Sequence, residues 1–186
     1  MKRCGWVTND EIYIKYHDEE WGVPVHDDRK LFEMLILEGA QAGLSWITVL
    51  KKRNHYREAF DNFSYEKVAA YDENKIKELL DDPGIIRNRR KINSAVNNAK
   101  VFIDIRKEFG SFDSYLWGFV DNKPVQGNFE KLSDVPVKTE LSDIISKDLK
   151  KRGMSFTGST IIYSYLQAVG VVNDHIKSCF RYTMLS

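Results

Sequence analysis

Apolar residues recur along the chain mainly at helical spacing, three and four positions apart, so that each periodic segment has one face suited to burial. The pattern predicts helices over about 10–18, 28–38, 45–54, 64–70, 73–81, 88–108, 112–120, 142–152, 159–169 and 174–179. Gly and Pro fall mostly between these segments, and runs with strand-like alternation are poor, so an all-α protein is expected. The longest stretch without a period, Asp121 to Pro136, carries Pro124, Gly127 and Pro136 and reads as a surface connection. With no internal repeat or low-complexity tract to divide it, the chain from 1 to 186 reads as a single domain.

Composition narrows the class. At 186 residues with 42% hydrophobic positions the chain can bury one sizeable core, which excludes disorder and fibre. Its 28 Lys and Arg nearly balance 27 Asp and Glu, so a polyanionic partner would be met by local patches rather than by a global field. No apolar run is long enough to span a bilayer, and Met1-Lys2-Arg3 leads into a polar segment rather than an apolar signal sequence. A cytoplasmic protein with no membrane partner is expected. In a reducing compartment its two cysteines, Cys4 and Cys179, are better suited to free thiols or a metal than to a disulfide.

His175 and Cys179 stand four apart, so on a helix both side chains would point the same way. Cys4 and His17 could complete a structural Cys2His2 set joining the two ends of the chain; alternatively both cysteines are small core residues. A second constellation centres on Glu38. In Lys30 to Glu38, a step of about 100° per residue sets Glu38 among Leu31, Met34 and Leu35, and puts Glu33 on the far side. An inward carboxylate of this kind is costly unless donors satisfy it, and such groups gather at functional sites; otherwise Glu38 ends the helix before Gly39 and bends out to water. After it, Gly39-Ala40-Gln41-Ala42-Gly43-Leu44-Ser45-Trp46 offers small residues and then a ring, as a plug or pocket lip would. Trp6, Tyr13, Tyr16 and Trp21 crowd the N-terminal segment, and with Trp46 they supply flat faces for a nucleobase or for the core. A carboxylate between aromatic faces suits an electron-poor or cationic ring.

Three basic clusters stand out: Lys51-Lys52-Arg53, Arg87 to Lys91, and Lys147 to Arg152. Each can be a solvated helix face, but the third runs into a turn with Gly153 and Gly158 and then a new apolar helix. The amides of Gly158, Ser159 and Thr160 would open that helix, where a phosphate is favoured.

Together, Arg3-Cys4-Gly5-Trp6, Tyr16-His17-Asp18-Glu19-Glu20-Trp21-Gly22-Val23-Pro24, Leu37-Glu38-Gly39 with Ala42-Gly43-Leu44-Ser45-Trp46, Gly84-Ile85-Ile86-Arg87 and Val172-Asn173-Asp174-His175 closely resemble the bacterial 3-methyladenine DNA glycosylase I family. The resemblance runs from Arg3 to Cys179. It implies a helix-hairpin-helix DNA glycosylase fold, excision of 3-methyladenine from double-stranded alkylated DNA in base-excision repair, and free 3-methyladenine as product; separately from the resemblance, a monomer is expected. The resemblance further implies one structural zinc on Cys4, His17, His175 and Cys179, tying the termini. Glu38 and Tyr16 would be the catalytic residues, sharing a base pocket with Trp46 and the aromatic walls Trp6 and Trp21. Gly43 and Leu44 match the DNA-plugging loop, and the hairpin with Lys151, Gly153, Gly158, Ser159 and Thr160 would grip phosphate. The wider superfamily's lyase lysine is replaced by Thr160 and its catalytic aspartate has no clear match, so a monofunctional enzyme is expected. Competing readings are a noncatalytic, zinc-fastened helical DNA-binding module and a nucleoside hydrolase without a duplex partner.

Overall fold

The structure, a computed structural model, describes residues 1–185. Ten helices dominate it: α1 (Glu11–Glu19), α2 (Asp28–Gln41), α3 (Trp46–Ala59), α4 (Tyr65–Ala69), α5 (Glu73–Asp81), α6 (Arg89–Phe109), α7 (Phe112–Gly118), α8 (Glu140–Lys151), α9 (Ser159–Ala168) and α10 (Arg181–Met184). Short polar side chains start several of them. Asp27, Asp72 and Asn88 accept from the amides of Lys30, Lys75 and Lys91, while Thr139 and Ser142 form a reciprocal cap on α8.

The core is organised around α2. Leu31 through Ala40 are all buried, because α3, α6, α7 and α9 pack around this one helix. Each large apolar side chain so enclosed contributes roughly 1.5–3 kcal/mol by leaving water. Complete enclosure also corrects the single-stripe picture: Glu33, on the expected outer side, is buried too. Arg57 at 2.7 Å and Lys30 at 3.3 Å neutralise it there. At the start of the helix, Asp28 accepts from the amides of Phe112 and Asp113 and from Arg106, locking α2 to α6 and α7.

Two departures from the expected all-α architecture lie near the site. Val125–Gln126 (β1) pairs in parallel with Val172–Asn173 (β2), Val125 opposite Val172, so part of the expected surface connection is stitched to the C-terminal segment. The helix expected over 174–179 is absent. Its backbone is used elsewhere: Lys177 donates to the carbonyl of Phe129 and Phe180 to that of Lys2, and Cys179 closes only a turn on Ile176. No described helix is long and apolar enough to cross a membrane.

Candidate active site

α1, α2, α3 and α9 converge on a cavity of about 330 Å³. Its walls include Trp6, Tyr13, Tyr16, Trp21, Glu38 and Trp46, all singled out by the sequence, together with Gln41, Thr160, Tyr163, Ser164, Gln167 and Asp174, and Leu132, Val135, Pro136 and Val137 close one side. Glu38 occupies the last turns of α2, only 4% exposed, and no donor among the described residues bonds to its carboxyl. Burial therefore pushes its pKa up to about 8. The same desolvation, reinforced by Glu38, holds Tyr13 and Tyr16 above the ordinary tyrosine value, so both hydroxyls stay neutral donors. Tyr16 and Trp46 lie 5.4 Å apart between ring centroids, and the buried Nε1 of Trp46 finds no acceptor among the described residues. A buried carboxyl with no donor thus lies at a space bounded by rings, and a polar planar guest with donors of its own would satisfy it.

Trp6 and Trp21 serve two sites. Their rings meet edge-on at 5.1 Å, and on the far side Trp21 lies 4.5 Å from His175 and Trp6 5.3 Å from His17. Behind them Cys4, His17, His175 and Cys179 are buried with their ligand atoms within 4.8 Å of one another. The Sγ of Cys4 lies 3.5 Å from Nδ1 of His175, and the Sγ of Cys179 lies 3.4 Å from both that atom and Nε2 of His17. These separations match the edge of about 3.5 Å that a tetrahedron with metal–sulfur bonds near 2.3 Å and metal–nitrogen bonds near 2.05 Å requires. The outward nitrogens are held as metal histidines usually are: Nδ1 of His17 donates to Asp18 at 2.7 Å, itself held by Arg3, and Nε2 of His175 donates to the carbonyl of Trp21 at 3.0 Å. Burial pushes His175 down to about 4 and the Cys4 thiol up to about 12, so these two rest neutral and a divalent cation would supply the charge that ionises Cys4. The donor set and its spacing fit a four-coordinate metal, although His175 and Cys179 reach it from a turn rather than from one helical face.

The plug segment lies at the mouth. Gln41-Ala42-Gly43-Leu44 forms a turn in which the Leu44 amide donates to the Gln41 carbonyl, and φ of +78° at Gly43 is the left-handed value that such a turn asks for at its third position. Leu44 is thereby left 41% exposed. A smaller cavity joins Glu38 and Gln41 to Gly43, Leu44 and Thr160, so the plug and the start of α9 border one cleft. α8 and α9 form the expected hairpin across residues 152–158, with Gly153 at φ +100°. No side chain caps α9 at Gly158, so the first-turn amides of Ser159 and Thr160 have no side-chain acceptor, although the Asp143 carboxylate lies beside the Ser159 hydroxyl, and Lys151 is exposed at the far end of the turn. The first basic cluster is not a free patch: Arg53 makes a bidentate pair with Glu20, Lys51 pairs with Asp10 and Lys52 donates to the Pro83 carbonyl.

Sequence reasoning missed Tyr163, Ser164, Gln167 and Asp174 as cavity residues, while Gln41 belongs to the segment it read as a plug or pocket lip. Asp174 lines the same cavity, buried and held by the Tyr163 hydroxyl and by Gln167 at 2.9 Å. Ser164 and Gln167 carried no sequence signal beyond their place on a helix. The signal for Tyr163 was its spacing to Thr160, three positions along the same face.

A helical scaffold with a donor-free carboxyl in an aromatic cavity, beside a helix hairpin, has the features of a nucleobase-binding protein. Residues 6–182 match the methyladenine glycosylase family, and the chain belongs to it. The chain is 50% identical to DNA-3-methyladenine glycosylase 1 of Escherichia coli, over 98% of this chain and 97% of that one. It is 48% identical to the DNA-3-methyladenine glycosylase of Haemophilus influenzae, over 95% and 96%. A solved structure of 3-methyladenine DNA glycosylase I from Staphylococcus aureus, concerned with its recognition of 3-methyladenine, superposes with a TM-score of 0.94 at 39% identity, over 98% of this chain and 97% of that one.

Proposed function

We propose that this protein, acting as a single helix-hairpin-helix domain, excises 3-methyladenine from double-stranded alkylated DNA by hydrolysing the N-glycosyl bond. The observation that carries the reading is the buried, donor-free Glu38 carboxyl inside an aromatic cavity. Methylation at N3 makes the base cationic, and cleavage returns the bond's electron pair to a base that leaves neutral. A water oxygen takes the anomeric carbon of an oxocarbenium-like sugar and gives up its proton, leaving an abasic strand. So activated a substrate needs little beyond extrusion of the nucleotide and binding of the leaving base. Glu38 accepts from the 6-amino group and faces the ring's positive charge, Trp46 and Tyr16 bound the ring, and the Tyr16 hydroxyl donates a further bond. Guanine would turn its O6 acceptor toward the same carboxylate. A noncatalytic module would gain nothing from keeping such a carboxyl buried. Chromatography of bases released from methylated DNA tests the reading: 3-methyladenine should appear, and its absence would overturn it.

Cys4, His17, His175 and Cys179 hold one zinc, which with four protein ligands has no open position and serves as a cross-link between the chain ends. Gly43 and Leu44 enter the gap left by the extruded base, while Lys151, Gly153, Gly158, Ser159 and Thr160 grip the backbone. Replacing Lys151 by Ala should therefore weaken binding about equally for all DNA sequences and lower the salt slope by about one. Unchanged affinity and slope would place Lys151 outside the interface. Strand cleavage is not expected, because a Schiff base with the abasic sugar needs an amine, and among the described residues no lysine lines the cavity or its mouth, where Thr160 stands instead. Borohydride should trap no covalent protein–DNA adduct; a trapped adduct would contradict the monofunctional reaction.

A further inference from the structure

Lys91, in the first turn of α6, makes a use of its charge that the excision chemistry does not explain. Its Nζ donates to the carbonyl of Ala40 at 2.8 Å and to that of Ala42 at 2.6 Å, and it has no acidic partner among the described residues. These are the orphan carbonyls at the end of α2, at the point where the chain leaves for Gly43 and Leu44. Seven residues further along α6, on the same face, Asn98 donates to the carbonyl of Ser155 at 2.8 Å and accepts from its amide at 3.0 Å, while Asn97 donates to the carbonyl of Gly153 at 2.8 Å. One rigid helix thus grips the Leu44 turn at one point and the hairpin turn at another, about 10 Å apart along its axis.

We propose that Lys91 is a positioning residue that fixes the Leu44 turn relative to the hairpin, so that the wedge meets the duplex at a set distance from the phosphate grip. The inference rests on the DNA-excision reading above. Of the cavity residues only Gln41 lies between the two gripped carbonyls, and the other walls come from α1, α3, α9 and the earlier turns of α2, so free-base binding should change little without this contact, whereas extruding a base from a duplex should suffer. A misplacement of an ångström between parts that must act together can cost far more rate than affinity.

Lys91→Met keeps the aliphatic stem and removes the two donors. Three quantities are compared with the parent chain: single-turnover release of 3-methyladenine from methylated duplex DNA, affinity for free 3-methyladenine, and affinity for undamaged duplex over a range of salt. The expected result is a release rate about tenfold or more lower, both affinities within about twofold, and recovery to within about threefold in Lys91→Arg, whose guanidinium can also donate to two carbonyls. Should Lys91→Met misfold, Lys91→Gln carries the same comparison. An unchanged release rate overturns the inference, as does a parallel loss of free-base affinity, which would mark a merely structural role. A fall in duplex affinity with a salt slope lower by about one overturns it too, by making Lys91 a phosphate contact. The parent chain is the control for the underlying reading: if it releases no 3-methyladenine, that reading fails, and the two failures are told apart.

Discussion

Cys179→Ser is expected to lose stoichiometric metal and to unfold roughly 5 kcal/mol more readily than the parent chain. The size follows from what the metal joins. Cys4 and His175 lie 171 positions apart, and a cross-link that closes so long a loop removes unfolded-state entropy worth about 5 kcal/mol by chain-entropy scaling. The site is also the centre of a small apolar cluster of Cys4, Ile176 and Cys179 with Trp6, Trp21, Phe129 and Phe180 around it, so losing the metal leaves four buried polar groups without their common partner. Chelation should reproduce the loss in the parent chain. Metal analysis giving one zinc per chain, with denaturant unfolding of both proteins, checks the prediction. Purified protein without stoichiometric metal, or a Cys179→Ser variant equal to the parent in both respects, would contradict it.

Glu38→Gln should stabilise the fold while impairing the site. The carboxyl rests in a cavity that raises its pKa from 4.5 to about 8, and the unfolded chain keeps the ordinary value. Between these two pH values the folded state binds the extra proton, so stability is fully present below 4.5 and is lost as pH rises through about 8. The loss is on the order of 5 kcal/mol when complete, most of it already incurred at pH 7. An amide has no proton to lose. The variant should therefore match the parent near pH 4 and exceed it by several kcal/mol at pH 8 and above, in unfolding measured across that range. Parallel stability curves would show that Glu38 reaches solvent.

How far the sequence carried this account depended on whether each feature is local. Helix α5 was expected over 73–81 and spans Glu73–Asp81, because its N-cap Asp72 and its apolar period both lie within the segment. Helix α2 runs three residues beyond the expected end at 38, through Gly39, Ala40 and Gln41, because Lys91 from a distant helix satisfies the carbonyls at its end. The stretch 174–179 has helical spacing but spends its amides on Phe129 and Lys2, partners that no local pattern announces. Its failure did not move His175 and Cys179 from the cluster, since the turn brings both to the same point. Glu38 was read correctly and Glu33 was not: one-face periodicity says nothing about a helix covered on every side, where Arg57 makes burial of a second carboxylate tolerable. Asp174 and Gln167 reach the cavity through α9 and the β1–β2 pairing, a tertiary arrangement without sequence period.

The most direct test of the central claim, that Glu38 with Tyr16 and Trp46 selects the methylated adenine ring, is a titration of free 3-methyladenine followed by tryptophan fluorescence. Trp6, Trp21 and Trp46 all line the cavity and report its occupation. Against the parent chain the base should bind and change the emission. At pH 9, where the parent carboxyl is ionised, affinity should fall by about 1.5–3 kcal/mol in Glu38→Gln, folded and with the parent's metal content, the scale of a hydrogen bond to a charged group. Equal affinities for the two proteins would contradict the account and leave Glu38 a buried helix end with no part in recognition.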